Sequence, residues 1–355
     1  MHIPDGYLGP QTYIPAYAAM VPFWTYASRN LKKTLRASQV PLMALGAAFS
    51  FVIMMFNIPV PGGTTGHAIG GALIAILLGP WAAVIAVSLA LIIQALMFGD
   101  GGITAIGANC LNMAVILPFV GWGVYRLIAG NCLATSPRRW IAGAIGGYFG
   151  ITAAALSAGI MFGIQPMIAR DAAGHSLYCP FGLKIAIPAM VGEHMLIIGF
   201  VEAVVTGLVI SYLQRVDPDL IRNANRTTLK QRKPLIPRIA MGLGAMALLS
   251  PLGLYLPARF AAGSAWGEWS NNEIAKTVGY IPSGMRKLSS LWKAPLPDYT
   301  APGIESTPLA TQSLWYIISG AIGIIMVPLT VISTRKYYSR KDSEDADSGL
   351  DAPAG

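Results

Sequence analysis

Nine apolar stretches run along the chain, divided by polar or Gly/Pro-rich segments: residues 13–27, 40–56, 68–78, 82–98, 111–128, 140–162, 185–213, 239–256 and 313–332. Apolar runs of this length with few charges predict membrane helices. Two are weak. Prolines interrupt 13–27, and 68–78 is short, with Gly79-Pro80 turning it directly into the next span. The pattern predicts an all-α polytopic membrane helix bundle. A break after the seventh stretch divides the chain. Residues 1–213 form a seven-span component and 214–238 a basic cytoplasmic linker. Residues 239–334 form a two-span accessory module around a polar outer loop, 257–312. The tail, 335–355, is basic and then acidic with Gly and Pro; it cannot bury a core and is read as disordered.

Charge orients the bundle. With the N-terminus outside, the inner connections hold four basic residues at 29–36, three at 126–139, seven at 215–238 and four at 335–341. The outer side holds seven: Arg170, Lys184, Arg259, Lys276, Arg286, Lys287 and Lys293. This bias predicts N-out and C-in, and it needs the weak first span for the alternation to close. The N-terminus, the Pro/Gly-rich 57–66 loop leading into His67, the loop opened by Gly99-Asp100-Gly101-Gly102 and the 163–184 loop then share the outer face.

Composition agrees: 54% of residues are hydrophobic and 12% charged, against about 25% charged in soluble domains. The net charge of +9 follows membrane topology and does not point to nucleic acid. Cys110, Cys132 and Cys179 have no CxxC spacing, so neither a disulfide framework nor a zinc site is expected.

The candidate chemistry lies at the start, Met1-His2-Ile3-Pro4-Asp5-Gly6-Tyr7-Leu8. No signal-peptide pattern precedes it, and the bulky His2 disfavours removal of Met1. The Met1 amine and the His2 amide nitrogen close a five-membered chelate ring on an ion. The amide and the His2 ring Nδ1 close a six-membered one. A fourth nitrogen from His67, on the same face, completes a square that suits Ni(II) or Cu(II). The amide must lose its proton to bind, so affinity is expected to rise with pH.

These residues, with Pro61-Gly62-Gly63-Thr64-Thr65-Gly66-His67, resemble the CbiM/NikM family, the nickel/cobalt substrate-binding components of energy-coupling-factor ABC transporters. The resemblance covers residues 1–213. The part from about 235 to 335, with Pro297-Asp298-Tyr299, resembles the accessory component of fused NikMN-type proteins, although the Pro-Asp-Gly-Leu stretch of some such modules is missing. The resemblance implies that Ni(II) or Co(II) is transported, held by the Met1 amine, the His2 amide, the His2 imidazole and His67. The Pro4-Asp5 form of the opening looks like the nickel branch. It also implies a multi-pass protein of the bacterial inner membrane. Its partners would be a transmembrane coupling protein, two cytoplasmic ATPases and membrane lipid. No GxxxxGK[ST] P-loop occurs, so ATP hydrolysis falls to the partners; the chain is read as no enzyme, and no cofactor is implied.

Three ionisable residues lie inside a predicted span: Glu193, His194 and Glu202. Such groups default to function. On a regular helix His194 and Glu202 are about 80° apart and Glu193 and Glu202 face opposite ways, so the three do not form one cluster unaided. Interhelical hydrogen bonding and an ion-relay role are both open. The relay role motivates the competing reading of a stand-alone metal–proton exchanger. An intramembrane metalloenzyme would need a cluster such as HExxH, which is absent. Asp5 either orients a ring N–H of His2 or His67 or makes an Asx turn. Small residues at four-residue spacing (Ala44/Ala48, Gly71/Ala75/Gly79, Ala142/Gly146/Gly150) allow close helix approach. Ala44/Ala48 also resembles the patch on which the coupling protein docks.

Overall fold

The computed structural model describes residues 1–35, 39–222, 235–304 and 307–348. A nine-residue N-terminal segment precedes α1 (Pro10–Thr34), where Pro10 occupies a first-turn position that needs no N–H donor. Then come α2 (Val40–Met54), a hairpin of β1 (Ile58–Val60) and β2 (Thr64–Gly66), α3 (Gly71–Leu78) and α4 (Pro80–Ile93), which continues as a π-helical turn to Phe98. The short α5 (Ile106–Asn109) passes through a π segment, Cys110–Ile116, into α6 (Leu117–Ala129). Next are α7 (Pro137–Gly163), α8 (Gln165–Ile168) and α9 (Leu183–Glu193). A π turn, His194–Ile198, joins α9 to α10 (Gly199–Val216), and α11 (Asp219–Arg222) follows. The rest is α12 (Leu235–Leu249), α13 (Leu252–Arg259), α14 (Asn271–Val278), α15 (Ser283–Leu288), a 3-10 turn at Pro297–Tyr299 and α16 (Leu309–Ser348).

The protein is an all-α multi-pass membrane protein. Six helical units are long and apolar enough to cross a membrane: Pro80–Phe98, Ile106–Ala129, Pro137–Ile168, Leu183–Val216, Leu235–Arg259 and Leu309–Thr334. They coincide with six of the nine apolar stretches. The remaining stretches are helical too, as α1, the fifteen-residue α2 and the eight-residue α3. Most of the basic linker, 223–234, and the end of the tail, 349–355, lie outside the described residues. From 335 to 348, however, the tail read as disordered continues α16. Extending an existing helix avoids the nucleation step that makes new helices costly, and no Gly or Pro intervenes before Gly349.

α7 packs between α6 and α10, and α16 lies along α2. The α6–α7 approach depends on missing side chains. A Cβ at Gly146 would sit 2.5 Å from the Gly121 carbonyl oxygen, and one at Gly150 2.7 Å from that of Leu117. The Gly146/Gly150 pair is thus internal packing. Ala44 and Ala48 are buried as well. With α16 packed on α2, this pair is no exposed docking patch.

The loop between the last two spans is built rather than open. Ser270 and Glu273 form a reciprocal capping box that starts α14. Trp266 and Trp269 pack on Phe181, and Trp266 also packs on Phe162, with ring centroids 5.6–5.7 Å apart. At the far end Asp298 and Tyr299 hold φ of 48° and 63°, a left-handed conformation that side chains disfavour. This turn stacks the Tyr299 ring on Phe98 at 4.9 Å. Between these two contacts the loop covers the N-terminal segment.

Candidate metal centre

Residues 1–8 enter the bundle as an irregular segment that turns at Asp5-Gly6, where Gly6 has φ of 90°. Ile3, Tyr7 and Leu8 are buried in the principal core cluster, with Met1 beside them. Hydrogen bonds to four parts of the chain fix its register. The Ile3 N–H donates to Asn109 Oδ1 at 2.8 Å, and its carbonyl accepts from Asn109 Nδ2 at 3.2 Å and from the Gly102 N–H at 2.9 Å. The Tyr7 carbonyl accepts from the Cys179 N–H at 3.0 Å, and the Gly9 N–H donates to Gln165 Oε1 at 2.9 Å. Asp5 takes neither expected role. Its carboxylate accepts the backbone N–H groups of Ile103 and Thr104, at 3.0 and 2.8 Å. Gly102 makes room for this contact, since a Cβ there would lie 2.2 Å from the Asp5 nitrogen.

This segment brings His2 against His67, with ring centroids 5.0 Å apart and planes 33° from parallel. Met1, His2 and His67 are all buried. The Met1 amine donates to Glu268 Oε1 at 3.1 Å. His67 follows β2 and points Nδ1 at the Ala68 carbonyl, 3.1 Å away. Its Nε2, like His2 Nε2, is buried with no hydrogen-bond partner among the described residues. Buried polar atoms are rarely left so; with each Nδ1 facing an oxygen, each Nε2 carries a lone pair that no N–H or O–H among the described residues meets.

The expected chelate assigns His2 Nδ1 to the ion. In the structure Nδ1 faces Asp100 Oδ1 at 3.0 Å, so binding through Nδ1 requires the ring to turn away from Asp100. Asp100 in turn accepts from the Tyr299 hydroxyl. The phenol oxygen receives Gln94 Nε2 at 2.8 Å, which leaves its proton for the carboxylate. Sequence reasoning identified the Gly99–Gly102 loop but not Asp100 within it; a lone carboxylate among glycines on the expected site face was the available signal.

The local charges act differently on the candidate donors. Burial, followed by the positive Met1 amine and the His2 ring, holds His67 well below the usual imidazole range, so it is a neutral imidazole. Burial would lower the Met1 amine, but the carboxylates of Glu268 and Glu193 outweigh it and hold the amine above its ordinary value. Burial would likewise raise Asp100; His2 above all, with His67 and Tyr299, holds its carboxyl well below the carboxylate range. No three His, Cys, Asp or Glu side chains among the described residues converge as a metal site.

The π turn His194–Ile198 begins at His194 and lies between Glu193, at the end of α9, and Glu202 in α10. One inserted residue shifts the helical phase by about 100°, which the regular projection omits. Glu202 accepts the N–H groups of Ile69, at 2.7 Å, and Gly70, at 3.1 Å. Ser50 Oγ donates to the Ile69 carbonyl at 2.8 Å. The Glu202 carboxylate thus pins the backbone two residues beyond His67, at the start of α3. His194 directs Nδ1 to the Met190 carbonyl at 2.7 Å, with Glu193 Oε1 at 3.3 Å. If His67 is a ligand of Ni(II), Glu202→Ala weakens the binding about 10- to 100-fold, the range for residues that orient ligands, while leaving the candidate nitrogen donors in place. Glu202→Gln, which keeps one acceptor oxygen, loses less. Isothermal titration of both variants checks this.

Residues 2–220 match the CbiM family, described as the cobalt uptake substrate-specific transmembrane region. A fused nickel transport protein NikMN of Rhodobacter capsulatus is 45% identical over 346 residues, covering 92% of this chain and 95% of that protein. A probable fused nickel transport protein LarMN of Lactiplantibacillus plantarum is 43% identical, covering 93% and 96%. A crystal structure of a transition metal transporter shares 56% identity with a TM-score of 0.58, over 61% of this chain and 94% of that one. A family match over more than half the chain and relatives aligned along both modules lead to one conclusion: this chain belongs to the CbiM/NikM family, in its fused NikMN form.

Proposed function

We propose that the protein captures Ni(II), or Co(II), at the outer face of the cell membrane and passes it inward. It does so as the substrate-binding component of an ATP-driven energy-coupling-factor transporter. The Met1 amine, His2 and His67 hold the ion, and Met1 acts through its amine rather than its sulfur. The observation that carries this reading is the burial of the free amine and two imidazoles, 5.0 Å apart between ring centroids, at the inserted N-terminus. The relatives named as nickel transport proteins support the substrate class. Nitrogen donors in a square disfavour Zn(II), which prefers a tetrahedron, and the oxygen-seeking Mg(II) and Ca(II).

A cavity of about 750 Å³ adjoins the N-terminal segment. Asp5, Glu268, Glu273 and Asp298 line it, with no Lys or Arg among its lining residues. Carboxylates of one sign along a cleft raise the local concentration of cations. In this reading a transmembrane coupling protein and two cytoplasmic ATPases drive translocation, and the nucleotide-binding loops belong to those partners; the chain contains no GxxxxGK[ST] motif.

The exchanger reading finds two of its three residues engaged, while Glu193 Oε2 is buried without a partner among the described residues. Glu202 is committed to two backbone N–H groups and His194 to a carbonyl. Uptake of ⁶³Ni(II) by cells producing the chain with and without the coupling protein and ATPases decides between the two. Uptake is expected only with active ATPases. Uptake by the chain alone in vesicles, driven by a proton gradient, overturns the proposal.

A further inference from the structure

We propose that Glu268, in the outer loop of the second module, is a positioning residue for the Met1 amine, so that the fused module supplies part of the geometry of the metal site. This rests on the reading of Met1, His2 and His67 as ligands. Glu268 Oε1 accepts from the Met1 nitrogen at 3.1 Å; the Met1 side chain is 1% exposed and that of Glu268 25%.

The carboxylate is fixed from both sides. Immediately after it, the Trp269 carbonyl accepts the Tyr7 hydroxyl at 2.7 Å, tying the loop to the N-terminal segment itself. Two residues before it, Trp266 packs on Phe162, which also packs on Tyr7 at 5.7 Å. The Glu268 N–H closes a turn on the Ala265 carbonyl at 3.0 Å. Glu268 is therefore held in register with Met1 by the residues around both.

A primary amine bound to a metal through its lone pair keeps two N–H bonds. One of them donating to Glu268 sets the direction of the lone pair and leaves it free for the ion. The carboxylate also places negative charge near the bound cation. Residues that orient a ligand in this way typically account for about 10- to 100-fold in metal affinity.

The test uses the full chain in detergent, titrated with Ni(II) alone. Glu268→Ala weakens binding about 10- to 100-fold and shifts the visible ligand-field band, because the amine donor is no longer aimed. Glu268→Gln, whose Oε1 still accepts, recovers most of the affinity. Glu268→Asp, one methylene shorter, draws the acceptor away and does not. These two conservative variants carry the test if the alanine variant does not fold. A role confined to loop stability would move neither the band nor the order Gln above Asp.

A chain acetylated at Met1, which has lost the basic amine and gained no new one, serves as the reference. If it loses binding while Glu268→Ala binds like the native chain with an unchanged band, the role of Glu268 is overturned and the ligand set stands. If it binds Ni(II) as the native chain does, the ligand set itself falls.

Discussion

One extra residue ahead of Met1 weakens Ni(II) binding by about 100-fold or more, equivalent to about 3 kcal/mol. Two effects combine. The extension turns the Met1 amine into an amide, removing a basic donor and replacing it with a nitrogen that must be deprotonated to bind. It also has no room. Met1 is 3% exposed and Ile3 fully buried, and Asn109 and Gly102 hold Ile3 in place. An added residue must either push the segment out of register, separating His2 from His67, or displace Glu268 from the terminus. Acetylation of Met1 removes the same donor with less bulk, so comparing the two separates the chemical from the steric loss. The native chain also binds more tightly as pH rises. Protons compete for an amine that Glu268 and Glu193 hold above its ordinary value, and a coordinating amide must shed its own proton. Calorimetric titration of the three chains across a pH series measures all of this. Undiminished binding by the acetylated chain refutes the amine as a ligand.

The apolar pattern made the bundle legible, because segments solvated by lipid must be both long and apolar. Hence the stretches read at 82–98, 111–128, 140–162, 185–213, 239–256 and 313–332 coincide with long helical units. The ligand candidates were legible for a different reason. The donors of Met1 and His2 are adjacent in sequence, and only His67 had to be brought in by topology. What surrounds them was not. Asp100, Glu202, Glu268 and Tyr299 act through contacts 98 to 267 residues away in sequence, and no local spacing announces such partners. For Glu202, hydrogen bonding to another element was one of the two roles left open, and the structure shows it at Ile69 and Gly70. These partners were not legible because they lie 132 and 133 residues away, and the π turn at His194–Ile198 shifts the 3.6-residue phase of the projection. The outer loop looked featureless because α14 and α15 are too short to show a period. Its order comes from tryptophans that meet Phe162 and Phe181 of the first module.

His67→Ala removes the one ligand that comes from outside the terminal dipeptide, and about 100-fold in Ni(II) affinity is expected to go with it. The loss should be selective. His67 Nε2 has no partner among the described residues, and Nδ1 faces only the neighbouring Ala68 carbonyl. Deleting the ring therefore leaves no distant group unpaired. The metal-free chain should keep its thermal stability to within about 1–2 kcal/mol, and a thermal unfolding series run beside the titration checks it. Comparison with Glu202→Ala sharpens the result. That variant keeps the imidazole but frees the backbone at Ile69 and Gly70, so its loss should be smaller and its metal spectrum closer to native, whereas His67→Ala exchanges a nitrogen donor for water and moves the band. Asp100→Asn supplies the contrary case. If the ion sat on the Asp100 carboxylate beside His2 rather than between the two imidazoles, Asp100→Asn would cost more than His67→Ala. A severe His67→Ala with a mild Asp100→Asn assigns the fourth donor to the imidazole; the reverse order moves the ion to the other side of the His2 ring.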